Sequence, residues 1–193
     1  MCNDYGNHVA YAEYAEAFAS LAIPIVAPLS PPNLEPRDDI WPTELAPVFR
    51  REKDGVELAQ LRWGFTPINP KGRTVINFRS EGRNFEKSRR CLVPASHFFE
   101  FKGPKAPKQK WKFSLRGEEW FCFTGLWRTA DDGDPASFTL LTTSPGPDVE
   151  PIHNRQMVVL RREHWRAWLD MSGPESELFA PLPAGTLNID RVR

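Results

Sequence analysis

Nineteen prolines and twelve glycines divide these 193 residues into short runs, and that punctuation rules out a fold built on long helices. Between the breaks lie apolar stretches of strand length. Ala46–Lys53 and Val56–Trp63 flank Asp54-Gly55, a hairpin signal. Val75–Arg79, Cys91–Pro94, His97–Lys102, Trp111–Leu115, Trp120–Trp127 and Phe138–Thr143 read as further strands, with Met157–Leu160 as another short apolar run. Two segments carry helical spacing. From Val9 to Ala22, Tyr11, Tyr14, Ala15, Phe18, Leu21 and Ala22 share one face, and Pro24 stops the helix. Glu163–Met171 groups Trp165, Trp168 and Leu169 on one side. Pro28–Asp39 reads as an extended proline-rich loop, Ser80–Arg89 as a polar segment with a helical turn, and residues 171–193 as a Pro- and Gly-rich tail. The expectation is an α+β protein: one compact domain over 1–193, with a mostly antiparallel, barrel-like β core and a few short helices.

Charge is balanced overall, with 25 Lys and Arg against 25 Asp and Glu. It is not balanced locally. Lys71 to Arg116 holds thirteen basic residues against Glu81, Glu86 and Glu100, interleaved with Phe and Trp. A solvated charged face is one reading of such a run, and a groove that tracks a nucleic-acid backbone is the other. The three cysteines form no CxxC pair, so neither a disulfide framework nor a metal knuckle is expected, and Cys91 and Cys122 read as buried core thiols. No apolar run reaches the length of a membrane span, and a cytoplasmic setting is expected.

Cys2 is the most informative position. A cysteine behind the initiator methionine becomes, once Met1 is removed, a free amine and a thiol on adjacent carbons. The amine can attack an aldehyde to give a Schiff base, and the thiol can close on the imine carbon to give a thiazolidine. No internal cysteine can do this, because its nitrogen is held in a peptide bond. Taken alone, Cys2 is also consistent with an incidental small residue at a terminus.

Three further segments bear on the choice: Ile76-Asn77-Phe78-Arg79-Ser80-Glu81, Arg89-Arg90-Cys91-Leu92-Val93-Pro94-Ala95-Ser96-His97-Phe98-Phe99-Glu100, and Pro151-Ile152-His153-Asn154-Arg155. With Met1-Cys2 in front, Leu61-Arg62-Trp63-Gly64-Phe65-Thr66-Pro67 between, and Thr124-Gly125-Leu126-Trp127 later, their order resembles the SRAP family (SOS response-associated peptidase-like proteins), whose members crosslink to abasic DNA. The resemblance is strongest over residues 1–170. It implies a compact, mostly β domain with the N-terminal cysteine in a cleft. It also implies Cys2 as nucleophile, Asn77 as the holder of the residue 2 backbone and the crosslinked ring, and Glu100 and His153 as proton carriers. No cofactor and no metal are implied.

The partner would be single-stranded DNA containing abasic sites, met by a monomer. Arg79 and Arg155 would contact phosphates near the lesion, with Arg83, Arg89 and Arg90 as further phosphate contacts. Trp63 reads as core, with base stacking as the alternative. Family members commonly begin Met-Cys-Gly-Arg; here Asn3-Asp4 follows Cys2, and an aspartate cannot contact a phosphate as that arginine would. The competing readings are an N-terminal-cysteine peptidase or amidohydrolase, a non-catalytic nucleic-acid binding module, and a β-rich domain with no DNA role. Binding through the basic stretch should fall with salt by roughly one log unit of affinity per log unit of salt for each phosphate neutralised. Fluorescence anisotropy of a labelled single strand across a salt series reads this slope, and a flat profile contradicts a backbone-binding groove.

Overall fold

A computed structural model describes residues 2–26, 34–69, 71–130 and 134–193. Met1 and the Pro28, Pro31 and Pro32 part of the proline-rich loop lie outside them. The first strand, β1 (Tyr5–Asn7), leads into α1 (Tyr11–Ser20), which buries Tyr14, Ala17 and Phe18. The side chain of Glu13 caps the helix start by accepting the Ala10 N–H at 2.7 Å. The helix is shorter than its apolar periodicity, because Ala22 turns to φ +52 ahead of Pro24.

The expected hairpin forms as β3 (Leu45–Glu52) and β4 (Gly55–Trp63), in register from Leu45↔Arg62 to Glu52↔Gly55. Gly55 is required less by the turn than by its neighbour: a Cβ there would lie 2.0 Å from the Pro24 carbonyl oxygen. The Val56 N–H donates to that same oxygen at 2.9 Å, which ties the segment after α1 to the hairpin.

The remaining strands are β2 (Arg37–Ile40), β5 (Asn77–Arg79), β6 (Arg90–Ala95), β7 (His97–Lys102), β8 (Gln109–Leu115), β9 (Phe121–Arg128), β10 (Ser137–Thr143), β11 (Gln156–Met157), β12 (Val159–Leu160) and β13 (Leu187–Arg191). One sheet runs β13-β8-β7-β1-β2. In the other, β10–β4–β3–β6–β9 are neighbours in turn, and β10 pairs β9 as well, so the pairing closes into a ring-like, barrel-like circuit. All these pairs are antiparallel except β10 with β4 and with β5.

Alternation divides the core. Phe121 and Phe123 of β9, with Cys91 and Val93 of β6, pack with Tyr5, Phe98 and Phe113 between the two sheets. Their neighbours Cys122 and Leu92 point to the opposite face, under α1 and α2 (Trp165–Asp170), against Phe18, Trp165 and Trp168. Covering on both faces is why β6 and β10 are buried at every position. The chain crosses from one sheet to the other at Ser96, between β6 and β7. No helix among the described residues is long and apolar enough to cross a membrane.

Four expectations change. The proline-rich loop ends in strand β2, which pairs β1. Ser80–Arg89 forms turns and no helix. The late helix starts with a 3-10 turn at Arg162–His164 and ends at Asp170, with Met171 at φ +56. The tail is structured: α3 (Glu175–Leu178) precedes β13, whose five residues all pair with β8.

Arg90 is a correction as well. Its side chain is 3% exposed, ion-paired with Glu175 and stacked 4.3 Å over Trp168, so it pins α3 to the core and is closed to DNA. Removing the partner strands a buried cation. Glu175→Gln should therefore lower stability by about 3 kcal/mol, and Arg90→Met by much less. Urea midpoints of the two variants read the difference; equal losses contradict this role for the pair.

Candidate active site

Four elements converge on Cys2. β1 lies antiparallel to β7, with Tyr5 opposite Phe98, and the Phe99 N–H donates to the Asp4 carbonyl at 3.0 Å. The chain ahead of β1 thereby runs on along β7 and brings residue 2 over Glu100. β10 supplies the other half of the scaffold. It pairs β5, which carries Asn77, and β11, which follows the His153–Arg155 turn.

The Cys2 thiol donates to Glu100 Oε1 and lies 3.8 Å from the Arg155 carbonyl. Asn77 Nδ2 donates to the Cys2 carbonyl at 2.6 Å. His153 Nδ1 is 3.4 Å from Glu100 Oε2 and 2.8 Å from the Arg155 carbonyl oxygen. Sequence reasoning named all four of these side chains, and the fold brings them into one cluster.

Cys2 and Glu100 expose no surface, whereas His153 and Asn77 are half-buried and border them. Glu100 shares its face of β7 with Phe98, which packs in the core between the two sheets, so the strand turns this carboxyl inward. Burial sets the proton affinities. Desolvation pushes Glu100 up to about 7, against a smaller lowering by the Cys2 hydrogen bond. Desolvation and the neighbouring carboxylate together push the Cys2 thiol well up. Burial lowers His153. The cluster thus holds a protonated thiol beside a carboxyl group that titrates near neutrality. The donor atoms of Cys2, Glu100 and His153 lie within 4.8 Å of one another, so a thiophilic divalent cation would also fit there.

The cationic residues divide. Arg79 is exposed at the end of β5, two residues from Asn77 and therefore on the same strand face. Arg155 is engaged: its guanidinium pairs with both Glu81 oxygens, at 2.8 Å for Nη2 to Oε2, and donates to the Thr142 carbonyl at 2.8 Å. That pairing holds the Glu81 carboxyl down at about 2. Glu81 was read only as part of a motif; its spacing of two from Arg79 and four from Asn77 was the available signal. Arg83 and Arg89 are exposed and lie over the rings of Phe78 and Trp127, at 5.3 and 5.1 Å. Trp63 is core. It is fully buried against Tyr5 and Phe138 and donates from Nε1 to the Ile76 carbonyl at 3.0 Å, so it is not a stacking surface.

Asp4 does not face the groove either. It is fully buried, 2.8 Å from Lys110 Nζ, which also pairs with Asp39. Desolvation raises Asp4 to about 7 against the lowering by Lys110. This carboxylate–lysine–carboxylate clasp was not foreseen, because Lys110 sits among five lysines that look alike in sequence.

The sequence profile of the SOS response associated peptidase (SRAP) family matches residues 1–193. The chain belongs to the SRAP family. Among its SRAP-like relatives is abasic site processing protein YoqW of Bacillus subtilis, 30% identical over 163 residues, which span 76% of this chain and 72% of that one. Another is abasic site processing protein YMR114C of Saccharomyces cerevisiae, 26% identical over 69% of this chain and 40% of that one. A crystal structure of a protein from Bacteroides thetaiotaomicron matches with a TM-score of 0.77 at 17% identity, covering 100% of this chain and 92% of that one. A phage-related protein from Bordetella bronchiseptica matches with a TM-score of 0.73 at 25% identity, over 100% and 94%.

The raised Glu100 value has a stability consequence. A group whose folded pKa lies above its unfolded one stabilises fully below the unfolded value and loses that contribution as pH rises through the folded one. Relative to Glu100→Gln, the wild type should lose on the order of 3 kcal/mol between about pH 4.5 and pH 7. Chemical denaturation at several pH values measures the difference, and a gap that does not change with pH contradicts the buried, neutral-leaning carboxyl.

Proposed function

We propose that this protein captures abasic sites in single-stranded DNA as a covalent adduct on Cys2, after hydrolysis of the Met1–Cys2 bond. The observation that carries the reading is the contact of Cys2 with Glu100, beside His153 and under the Asn77 amide. A role in abasic-site processing is further supported by the relatives that carry that name.

The chemistry follows from the cluster. His153, half-buried at the edge, protonates the ring oxygen of the closed sugar while the anomeric hydroxyl gives its proton to Glu100, which hands it back to the imidazole, and the sugar opens to the aldehyde. The freed Cys2 amine attacks C1′, and Glu100 carries one N–H proton to the former carbonyl oxygen to give a carbinolamine. Glu100 then takes the second N–H proton and delivers it to the departing hydroxyl, so one water leaves and an imine remains. The thiol sulfur then adds to the imine carbon, and its proton ends on the ring nitrogen by way of Glu100. A carboxyl that titrates at about 7 is suited to both directions of transfer. Asn77 fixes the Cys2 carbonyl, so the amine and the thiol keep their orientation towards the incoming carbon. Arg79 takes the phosphate beside the lesion, and Arg155 acts by positioning, clamped by Glu81 so that its carbonyl stays against the Cys2 thiol. An abasic nucleotide is already unstacked, so presenting its sugar costs less than flipping a base.

Removal of Met1 fits the same groups: the Cys2 thiol gives its proton to Glu100 and attacks the Met1 carbonyl, the C–N bond breaks as Glu100 returns that proton to the leaving nitrogen, and water hydrolyses the thioester to release methionine and restore the thiol. The family's peptidase description is consistent with this self-processing. Denaturing gels with an abasic oligonucleotide separate the readings. The wild type should give a heat-stable adduct and Cys2→Ala none. Cys2→Ser should give only an adduct that borohydride must trap, because its amine forms the imine and no sulfur closes the ring. Glu100→Gln should slow formation by roughly a hundredfold. A stable adduct from Cys2→Ala, or an unchanged rate for Glu100→Gln, contradicts the assignment.

A further inference from the structure

A cavity of about 670 Å³ opens on the side of β5 facing away from Cys2. Successive side chains of a strand point to opposite faces. Asn77 reaches the Cys2 carbonyl, and its neighbour Phe78 turns into this cavity, so one strand walls both places. The floor is apolar, with Phe65, Phe85 and Leu126 buried beneath it. Two half-buried aromatic faces, Phe78 and Trp127, stand at the sides.

The rim is cationic. Arg128 lies 4.2 Å over the Phe65 ring, and Arg83 and Arg89 lie over Phe78 and Trp127. All three arginines are exposed, and among the described residues none has a carboxylate within ion-pair distance. Asp134 is the one acidic side chain that lines the cavity among the described residues.

We infer that this cavity is a nucleotide site, which takes a flat nucleobase between its aromatic walls and the attached phosphate on its arginine rim. The volume falls within the range of small-molecule sites. A guanidinium already stacked on a ring offers a second plane against which a base can lie. Among the described residues three exposed guanidiniums stand against one carboxylate, a balance that favours an anion, and the apolar floor gives a bare inorganic anion nothing to bury. An aromatic group that carries a phosphate satisfies both halves. Two sources share that chemistry: a base of the captured strand flanking the lesion, and a free nucleotide. The inference rests on the DNA reading above only for the first source.

Calorimetric titration of the full chain in the Cys2→Ala background with dAMP, and separately with a short undamaged single strand, tests it. Adduct formation by wild-type protein is scored in parallel. At least one probe should bind saturably. Phe78→Ala, Trp127→Leu and the double variant Arg83→Ala with Arg128→Ala should each weaken it roughly tenfold or more, with far-UV circular dichroism unchanged. The arginine variant alters only exposed side chains, so it keeps the test valid if an aromatic variant misfolds. Binding of dAMP assigns a free nucleotide as sufficient, and binding of the strand alone assigns a base of the DNA. Absence of saturable binding by both probes, or affinities unmoved by these variants, overturns the site. That failure with adduct formation intact leaves the Cys2 chemistry standing, and binding without any adduct removes that chemistry alone.

Discussion

The register of β1 on β7 is the constraint on which the rest depends. It puts a thiol against a carboxylate that has no exposed surface and that would otherwise be stranded in an apolar interior. A slip of one residue would turn every side chain of the N-terminal segment to the other face, and Cys2 would leave Glu100. Several contacts oppose that slip. Tyr5 packs edge-on to Trp63 at 5.2 Å and to Phe123 at 5.7 Å. Gly6 passes so close to its neighbours that a Cβ would lie 2.2 Å from His97 Nε2 and 2.5 Å from the Asp38 carbonyl oxygen. No other residue fits at position 6 in this register, and a glycine at 5 or 7 would not serve.

Around that contact the protein spends its charged groups on geometry. Lys110 gathers Asp4 and Asp39 beside the N-terminal segment, and Arg155 is clamped by Glu81 on the far side. Both arrangements hold backbone next to Cys2: Asp4 is two residues along, and the Arg155 carbonyl faces the thiol. Position 4, where the resemblance would place an arginine, holds an inward-facing aspartate, and among the exposed arginines Arg79, Arg83, Arg89 and Arg128 lie along β5 and the cavity behind it.

Much of the architecture could be read from sequence where local pattern and fold agree. β7 spans the expected His97–Lys102, and the hairpin around Asp54 sits where its apolar runs place it. Asn77, Glu100 and His153 were found through motif order, since no local pattern links residues so far apart. What stayed hidden depends on tertiary burial. A glutamate in a strand is ordinarily read as solvent-facing, yet Glu100 shares a face with Phe98, and only the packing of the two sheets shows that this face is dry. Arg90, Arg155 and Lys110 look like the open arginines and lysines around them, because the carboxylates that claim them are 85, 74 and 106 or 71 residues away in sequence. Strand β13 escaped because Leu187–Arg191 buries only its first residue fully. Its partner β8 recruits it through backbone hydrogen bonds that side-chain periodicity does not reveal.

Intact mass spectrometry tests the central claim most directly. Purified protein should weigh less than the full chain by one methionine residue. After incubation with an abasic single strand, a new species should appear at the mass of that protein plus the oligonucleotide less one water. Protein that keeps Met1 and still gains the oligonucleotide, or protein that loses Met1 and gains nothing, would contradict the account.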